Sequence, residues 1–217
     1  MLKRAKRFGM VLVASLAVVA TGAQAASAAN FVAGSYPAAI SGNQIEKHVF
    51  ETVANTLYCN TYDFQSELSG AANELALSAS PSGCSTLGIV TMTVNMNGCT
   101  WNFNVGEKIE ASKYSGSGHI ACPSGKEIVW NASGGNCTAK IPAQTLSGTF
   151  TLEKTATKPT TVLLSTAATG IKYVLGPTSG CLGSPAPGTY ENGAYSGTTT
   201  LLAKEPKSLT QINFGIE

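Results

Sequence analysis

The sequence is short of charge, and its arginines are confined to one end. Only 12% of the 217 residues are charged, and no arginine follows Arg7. Beyond the basic cluster from Lys3 to Arg7 every base is a lysine, and the 12 acidic residues outnumber them. Recognition of nucleic acid relies on arginine and on a net basic face. We therefore expect no nucleic-acid partner.

Long apolar runs are missing after the first 20 residues, so we expect no integral membrane segment in the mature chain, because a helix that spans a bilayer needs about 20 apolar residues. The one apolar run, from Phe8 to Ala20, follows four basic residues and precedes small residues up to Ala28. This is the three-part pattern of a secretory signal peptide. The sequence predicts a signal peptide at residues 1–28, cleaved after Ala25 or Ala28, and a secreted or cell-wall-associated product.

The sequence also lacks a C-x-x-C motif, which argues against a zinc site. Its six cysteines all follow the predicted signal peptide, and an even number in an exported chain indicates disulfide bonds. Two intervals between cysteines each enclose fourteen residues, and in both the second cysteine precedes a threonine. We take this repeat to predict two local bridges and one long one: Cys84 with Cys99, Cys122 with Cys137, and Cys59 with Cys181.

Alternation of apolar and polar residues is the dominant pattern in the mature chain. Val90 to Met96 and Trp101 to Val105 alternate on either side of Asn97-Gly98, which is typical of a β-hairpin. About ten further short segments behave in the same way between Gly, Pro, Ser and Asn residues. The sequence predicts an all-β fold, an antiparallel β-sandwich or barrel-like structure with disulfide bonds. A single domain over residues 29–217 is the main interpretation, and two small β lobes that meet near residues 119–124 are the alternative.

Catalytic ingredients are few. The mature chain has two histidines, His48 and His119, and a single aspartate, Asp63, from which a nucleophile-base-acid triad would have to be built. No G-x-S-x-G motif is present. Glu107 and Glu110 form a nominal carboxylate pair of the kind that glycosidases use. These residues form an active site only if the fold brings them together, and the main hypothesis is that the protein is not an enzyme and needs no metal or cofactor.

The two tryptophans receive different interpretations. Trp101 is in phase with Phe103 and Val105, so it is expected to face the core. Trp130 precedes Asn131 and a glycine-rich turn, and it is the candidate for an exposed ligand-binding ring. The segment from Gly176 to Gly188 contains three prolines and is predicted to be a loop, tethered if Cys181 is bridged.

Four segments resemble a known group of proteins. They run from Met96 to Phe103, from Ala121 to Gly125, from Asn136 to Gln144, and from Gly170 to Tyr173, the last followed by Cys181. Together they resemble a group of uncharacterised, secreted, six-cysteine proteins of high-GC Gram-positive bacteria. The likeness covers roughly residues 55–200. It implies an exported, β-rich protein, and it implies no site residue.

Three functions remain open on these observations. The first is a non-catalytic secreted or envelope-associated protein that binds an envelope or extracellular ligand or has a structural role. The second is a secreted hydrolase that uses His119 or the pair Glu107 and Glu110. The third is a protein resembling protease inhibitors, which would present the loop from Gly176 to Gly188 to a protease.

Overall fold

A computed structural model describes residues 29–132, 136–181 and 183–217. The predicted signal peptide at residues 1–28 lies outside the described residues. Every element of the described chain is a β-strand, so the protein is all-β, as predicted. In chain order the strands are β1 (Phe31–Ala33), β2 (Ala38–Glu51), β3 (Thr56–Leu68), β4 (Glu74–Thr86), β5 (Val90–Asn95), β6 (Thr100–Lys108), β7 (Lys113–Ala121), β8 (Ile128–Ala132), β9 (Thr138–Ile141), β10 (Gln144–Lys154), β11 (Val162–Leu175), β12 (Gly188–Lys204), β13 (Gln211–Ile212) and β14 (Phe214–Ile216).

Eight of these strands close into an antiparallel barrel. The ring runs β12-β2-β3-β4-β6-β7-β10-β11 and returns to β12. Its strands carry the predicted alternation: in β4, Leu75 and Leu77 face the interior, while Glu74, Ala76 and Ser78 are exposed. Closure pairs the strands on both sides, which leaves no long exposed edge in the ring.

The long strands β4 and β11 each pair with two different partners along their length. The first part of β4 pairs with β6 and its last residues pair with β5. The first part of β11 pairs with β10 and its last residues pair with β9. Because β5, β8 and β9 also pair in sequence, they complete a second ring with the shared strands β11, β12, β2, β3 and β4. The two rings are stacked end to end, and they differ only in one wall.

The predicted hairpin between residues 90–96 and 101–105 is wrong, because β5 and β6 belong to different rings. The turn forms as expected: Asn97 and Gly98 both have positive φ, and the Cys99 amide donates to the Met96 carbonyl at 2.7 Å. The strands beside it do not pair with each other, since β5 lies between β4 and β8, and β6 lies between β4 and β7. The turn therefore carries the chain from the second ring into the first.

All three predicted disulfide pairs are wrong. The bonds are Cys59–Cys84, Cys99–Cys122 and Cys137–Cys181, which join cysteines consecutive in the sequence. Cys59 and Cys84 face each other in the β3–β4 ladder. Cys99 precedes β6 and Cys122 follows β7, and these two strands are paired. Equal spacing misled the prediction because it reports only distance along the chain, whereas bridging requires cysteines on neighbouring strands.

A small two-stranded sheet closes one end of the first ring. In it β1 pairs with β14, and the Phe31 and Phe214 rings stack at 6.0 Å with neither side chain exposed. The Phe31 amide donates to the Ala72 carbonyl before β4, and the Phe214 amide donates to the Thr160 carbonyl before β11. The two ends of the described chain thus cover the interior.

The predicted lobe boundary near residues 119–124 falls at the end of β7, which pairs with both β6 and β10 and ends at Ala121, before β8 begins at Ile128. Within residues 29–132, 136–181 and 183–217, no helix has the length and apolarity to cross a membrane.

Candidate functional site

The candidate catalytic residues are not brought together. His48 lies on β2 inside the barrel and is 5% exposed. His119 lies on the outer side of β7, where its Nε2 is 3.9 Å from Glu74 Oε2. Asp63 is exposed on β3, one strand from His48 but on the opposite face of the sheet. The triad ingredients therefore occupy separate places.

The two glutamates also lie apart from His119. Glu107 is exposed near the end of β6, and Glu110 is exposed in the turn that follows. His119 is opposite Asn102 in the β6–β7 ladder, and Asn102 lies five residues before Glu107. At about 3.3 Å per residue this places Glu107 roughly 16 Å further along the strand. Glu74, which the sequence did not single out, is the acid beside His119, and it also accepts from Asn102 Nδ2 at 2.8 Å.

The expectation for Trp101 is confirmed, and the one for Trp130 is wrong. Trp101 is 3% exposed, and Trp130 is only 1% exposed. Trp130 lies on β8, where alternate residues face the interior of the second ring, and its ring packs edge-on against Phe50 at 5.5 Å. The strand continues to Ala132, beyond Asn131, and its alternation directs Trp130 inward. Trp130 is therefore no external ligand platform.

A polar centre built around His48 lies in the barrel interior instead. His48 Nδ1 is 2.5 Å from the Tyr195 hydroxyl, and Nε2 is 2.8 Å from Thr199 Oγ1. Tyr195 and Thr199 face inward from β12, with Gly197 between them. Gly197 lies directly under the imidazole, and a Cβ at this position would overlap the His48 ring. The missing side chain of Gly197 is what admits the histidine.

Aromatic rings surround this polar centre. The His48 ring stacks on Tyr62 with centroids 4.9 Å apart, and Trp101 stacks on Tyr195 at 4.5 Å. Burial lowers the pKa of His48 from 6.5 to about 4, and a hydrogen bond with the Thr198 backbone opposes this fall only in part. Burial raises the pKa of both Tyr62 and Tyr195. The centre is therefore uncharged at neutral pH, and its neutral imidazole is held between two hydroxyl groups.

The sequence pattern could have indicated that three residues of β12 face the interior together. Tyr195, Gly197 and Thr199 share one phase of a predicted strand, and that phase is the buried one. What the sequence did not reveal is that β2 places His48 opposite them. The β2–β12 ladder contains register shifts on both sides of Thr198, and the β2–β3 ladder is interrupted between Gly42 and Val49.

The interior around His48 leaves little space. A cavity of about 20 Å³ is lined by aromatic and apolar side chains and by one disulfide cysteine: His48, Phe50, Leu57, Cys59, Tyr62, Val94, Trp101, Ile128, Trp130, Ile141 and Tyr195. A water molecule needs at least about 10–15 Å³ measured in this way. The cavity accommodates a molecule of that size and no larger ligand.

A larger concave surface lies outside the same part of the barrel. This outer groove has a volume of about 390 Å³ and crosses β10, β11, β12 and β2. Hydroxyl groups dominate its lining, together with one carboxylate and one ammonium group: Glu46, Lys47, Thr149, Thr151, Leu163, Ser165, Thr166, Ala167, Ser196, Gly197 and Thr198. Thr198 Oγ1 donates to Glu46 Oε2 at 2.6 Å, which fixes the carboxylate over β12.

The predicted loop before β12 is tethered. The Cys137–Cys181 bond joins it to the segment that precedes β9, and the Gly180 amide donates to the Asn136 carbonyl at 2.8 Å.

No group of three or more His, Cys, Asp or Glu side chains that could hold a metal ion occurs among residues 29–132, 136–181 and 183–217.

Comparison with known proteins gives no relative. No family model, no curated protein and no solved structure matches the chain. The resemblance to secreted six-cysteine proteins of high-GC Gram-positive bacteria accordingly stays a prediction.

Proposed function

We propose that the chain is an exported, non-catalytic binding or structural protein that acts from the outer surface of its barrel, outside the cell or in the cell envelope. The observation that carries this proposal is the filled interior. Small barrels that bind ligands inside enclose a cavity for them, whereas the cavity here holds about 20 Å³. A ligand larger than water therefore has to bind on the outside.

Two features support export. The amino-terminal pattern is that of a signal peptide, and three disulfides are consistent with an oxidising, extracellular environment. Expression of the full chain in a Gram-positive host tests this part. We expect the protein in the culture medium or wall fraction with an amino terminus at Ala26 or Ala29. An uncleaved chain that stays in the cytoplasm would contradict it.

The outer groove is the surface we assign to ligand binding, with a hydroxyl-rich envelope polysaccharide as the ligand class. Serine and threonine hydroxyls both donate and accept hydrogen bonds, as sugar hydroxyls do. The exposed side chains Thr149, Ala167 and Ser196 lie on three adjacent strands in this groove. Glu46 adds a strong acceptor at the edge.

A binding assay with purified peptidoglycan tests the assignment. Ala167→Gln and Ser196→Gln fill the groove, because these two residues are directly opposite each other on β11 and β12. We expect each variant to weaken sedimentation with peptidoglycan at least tenfold. Ser80→Gln is the matched control, since Ser80 is exposed on β4, the strand across the ring from β11. Equal binding by all three variants, or no binding by the unmodified protein, would reject the groove as a polysaccharide site.

The hydrolase alternative gains no support from the geometry. It requires His119 near a nucleophile or near Glu107 and Glu110, and His119 instead faces Glu74 on an outward strand position.

A further inference from the structure

Two buried hydrogen-bond donors in the barrel interior have no acceptor. None of the described residues accepts a hydrogen bond from Trp101 Nε1 or Trp130 Nε1, although these tryptophans are only 3% and 1% exposed. Buried polar groups in proteins are nearly always paired with protein or with ordered water. Both tryptophans line the same cavity, so their unpaired donors point to an occupant of that cavity.

The chemistry of the cavity defines this occupant. An indole N–H is a donor only, so the occupant has to accept hydrogen bonds. Among the described residues that line the cavity there is no lysine, arginine or carboxylate, and the walls include Phe50, Ile128 and Ile141. An ion would therefore lose its hydration without gaining a counter-charge. The volume of about 20 Å³ limits the occupant to the size of one water molecule.

Tyr62 supplies a third polar partner. The Trp101 side chain interacts with the Tyr62 hydroxyl, yet the indole N–H does not reach hydrogen-bonding geometry. A water molecule that contacts both groups would supply the acceptor that the indole N–H lacks. The nitrogens of His48 are already engaged by Tyr195 and Thr199, so His48 forms a wall of the cavity and does not compete for the occupant.

We propose that this cavity, lined by Trp101, Trp130 and Tyr62, is a binding site for one uncharged, water-sized hydrogen-bond acceptor, and that a single water molecule is its resident ligand. The water accepts from the two indole N–H groups. One of its own hydrogens is directed to the Tyr62 oxygen. This site is separate from the outer groove, so its presence does not depend on the proposed function.

The pairing of the sheet is interrupted next to the site. Pairing between β2 and β3 stops at Gly42–Phe64 and resumes at Val49–Tyr58. His48 and Tyr62 lie within this interval, and both line the cavity. We therefore expect the water to exchange through the interval between β2 and β3.

Proton NMR on the ¹⁵N-labelled protein tests the proposal directly, because the chain has only two tryptophans and so gives two indole N–H signals. Trp101→Phe and Trp130→Phe assign them. Should either variant fail to fold, contacts of Trp130 with Phe50 and of Trp101 with Tyr195 assign the signals in the unmodified protein.

We expect both indole N–H groups to show cross-relaxation with water of the sign that distinguishes a bound water molecule from the rapidly exchanging water of the surface. Xenon serves as the competing probe, because a dry apolar cavity binds xenon and a hydrated polar one does not. Xenon-induced shifts of the Ile128 and Ile141 methyl groups without water contacts at the indoles would overturn the proposal. Absence of both effects would also overturn it, since the cavity would then be empty.

Discussion

At the residue scale, the most unusual feature is a neutral histidine enclosed by a β-barrel. Both nitrogens of His48 meet a hydroxyl group, and the residue under the ring is Gly197, which has no side chain. A charged imidazole would lose its hydration here, which is why the pKa falls to about 4. The same burial makes the site sensitive to acid.

We expect the stability of the fold to decrease as the pH falls from 6.5 to 4 because of His48. In this window the unfolded chain binds a proton at His48, while the folded chain does not. The resulting loss in the free energy of unfolding reaches about 3 kcal/mol near pH 4. Urea unfolding at about pH 7 and at about pH 4 measures it.

The variant His48→Gln should lose this part of the pH dependence, whatever its effect on stability at neutral pH. His119→Gln is the matched control, because His119 is on the surface and is partly exposed. If His48→Gln and the unmodified protein lose the same free energy on acidification, His48 is not the group that titrates.

The individual site residues were only partly predictable. Period-two alternation placed Trp101 in the core correctly, since phase along a strand reports which face is buried. The prediction for Trp130 failed because it took the following polar residue, and not the phase along the strand, as the sign of exposure. The centre at His48 could not be predicted, because its partners lie 147 and 151 residues away.

At the scale of elements, the structure depends on how β4 and β11 change partners. On β11 the change occurs near Lys172, where neither β9 nor β10 supplies a backbone partner. The Gln144 side chain fills this position: its Nε2 donates to the Lys172 carbonyl, and its Oε1 accepts from the Lys172 amide, each at 2.8 Å. A side-chain amide thus takes the place of a strand.

Gln144→Ala should therefore destabilise the protein by about 1–2 kcal/mol, because two hydrogen bonds to the backbone of β11 are lost. Hydrogen exchange of the Lys172 amide should accelerate in the same variant. Thr145→Ala is the control, since Thr145 is the exposed next residue of β10. Unchanged exchange at Lys172 in Gln144→Ala would show that the amide is protected by something else.

The disulfides give a second prediction at this scale. Peptide mapping of the non-reduced protein should recover the pairs Cys59–Cys84, Cys99–Cys122 and Cys137–Cys181. The double variant Cys137→Ser and Cys181→Ser opens a sequence separation of 44 residues. Chain entropy then predicts a loss of about 4 kcal/mol.

The double variant Cys99→Ser and Cys122→Ser provides the comparison. Its sequence separation is 23 residues, for which the same relation gives about 3 kcal/mol. A peptide that links Cys84 to Cys99 would contradict the pairing described here and would support the spacing argument instead.

At the scale of the whole molecule, closure is completed by the two ends of the described chain. The pair β1 and β14 places Phe31 and Phe214 over the open end of the first ring, where both are fully buried. These segments are more than 180 residues apart in the sequence, so the cover over the barrel end depends on long-range contacts of the tertiary structure. The sheet thereby seals the apolar interior from solvent.

Phe214→Ala should destabilise the protein by about 3–5 kcal/mol, since it opens a cavity beneath β1 and removes the contact with Phe31. Thermal unfolding measures the effect, and tryptophan fluorescence reports whether solvent reaches the interior. Ile109→Ala is the control, because Ile109 is 52% exposed and its loss creates no cavity. An effect of Phe214→Ala no larger than that of Ile109→Ala would mean that the terminal sheet does not seal the barrel.

The sequence alone determined the fold class and the use of cysteine. Alternation over short segments indicates strands with one buried face, and six cysteines beyond a predicted signal peptide indicate disulfides. These features are local, so no partner needs to be known to recognise them. Most strand positions, including the apolar face of β4, followed from them.

Which strands are neighbours follows from the tertiary structure alone. The disulfide partners and the contacts of the buried side chains depend in turn on which strands are neighbours. The alternation in β5 and β6 is compatible with two arrangements: a hairpin in which these strands pair with each other, and the observed sheet in which they do not. The cysteine partners, the inward position of Trp130 and the enclosure of His48 all follow from ring closure. Periodicity states that one face of a strand is buried, whereas pairing between distant strands decides what that face meets.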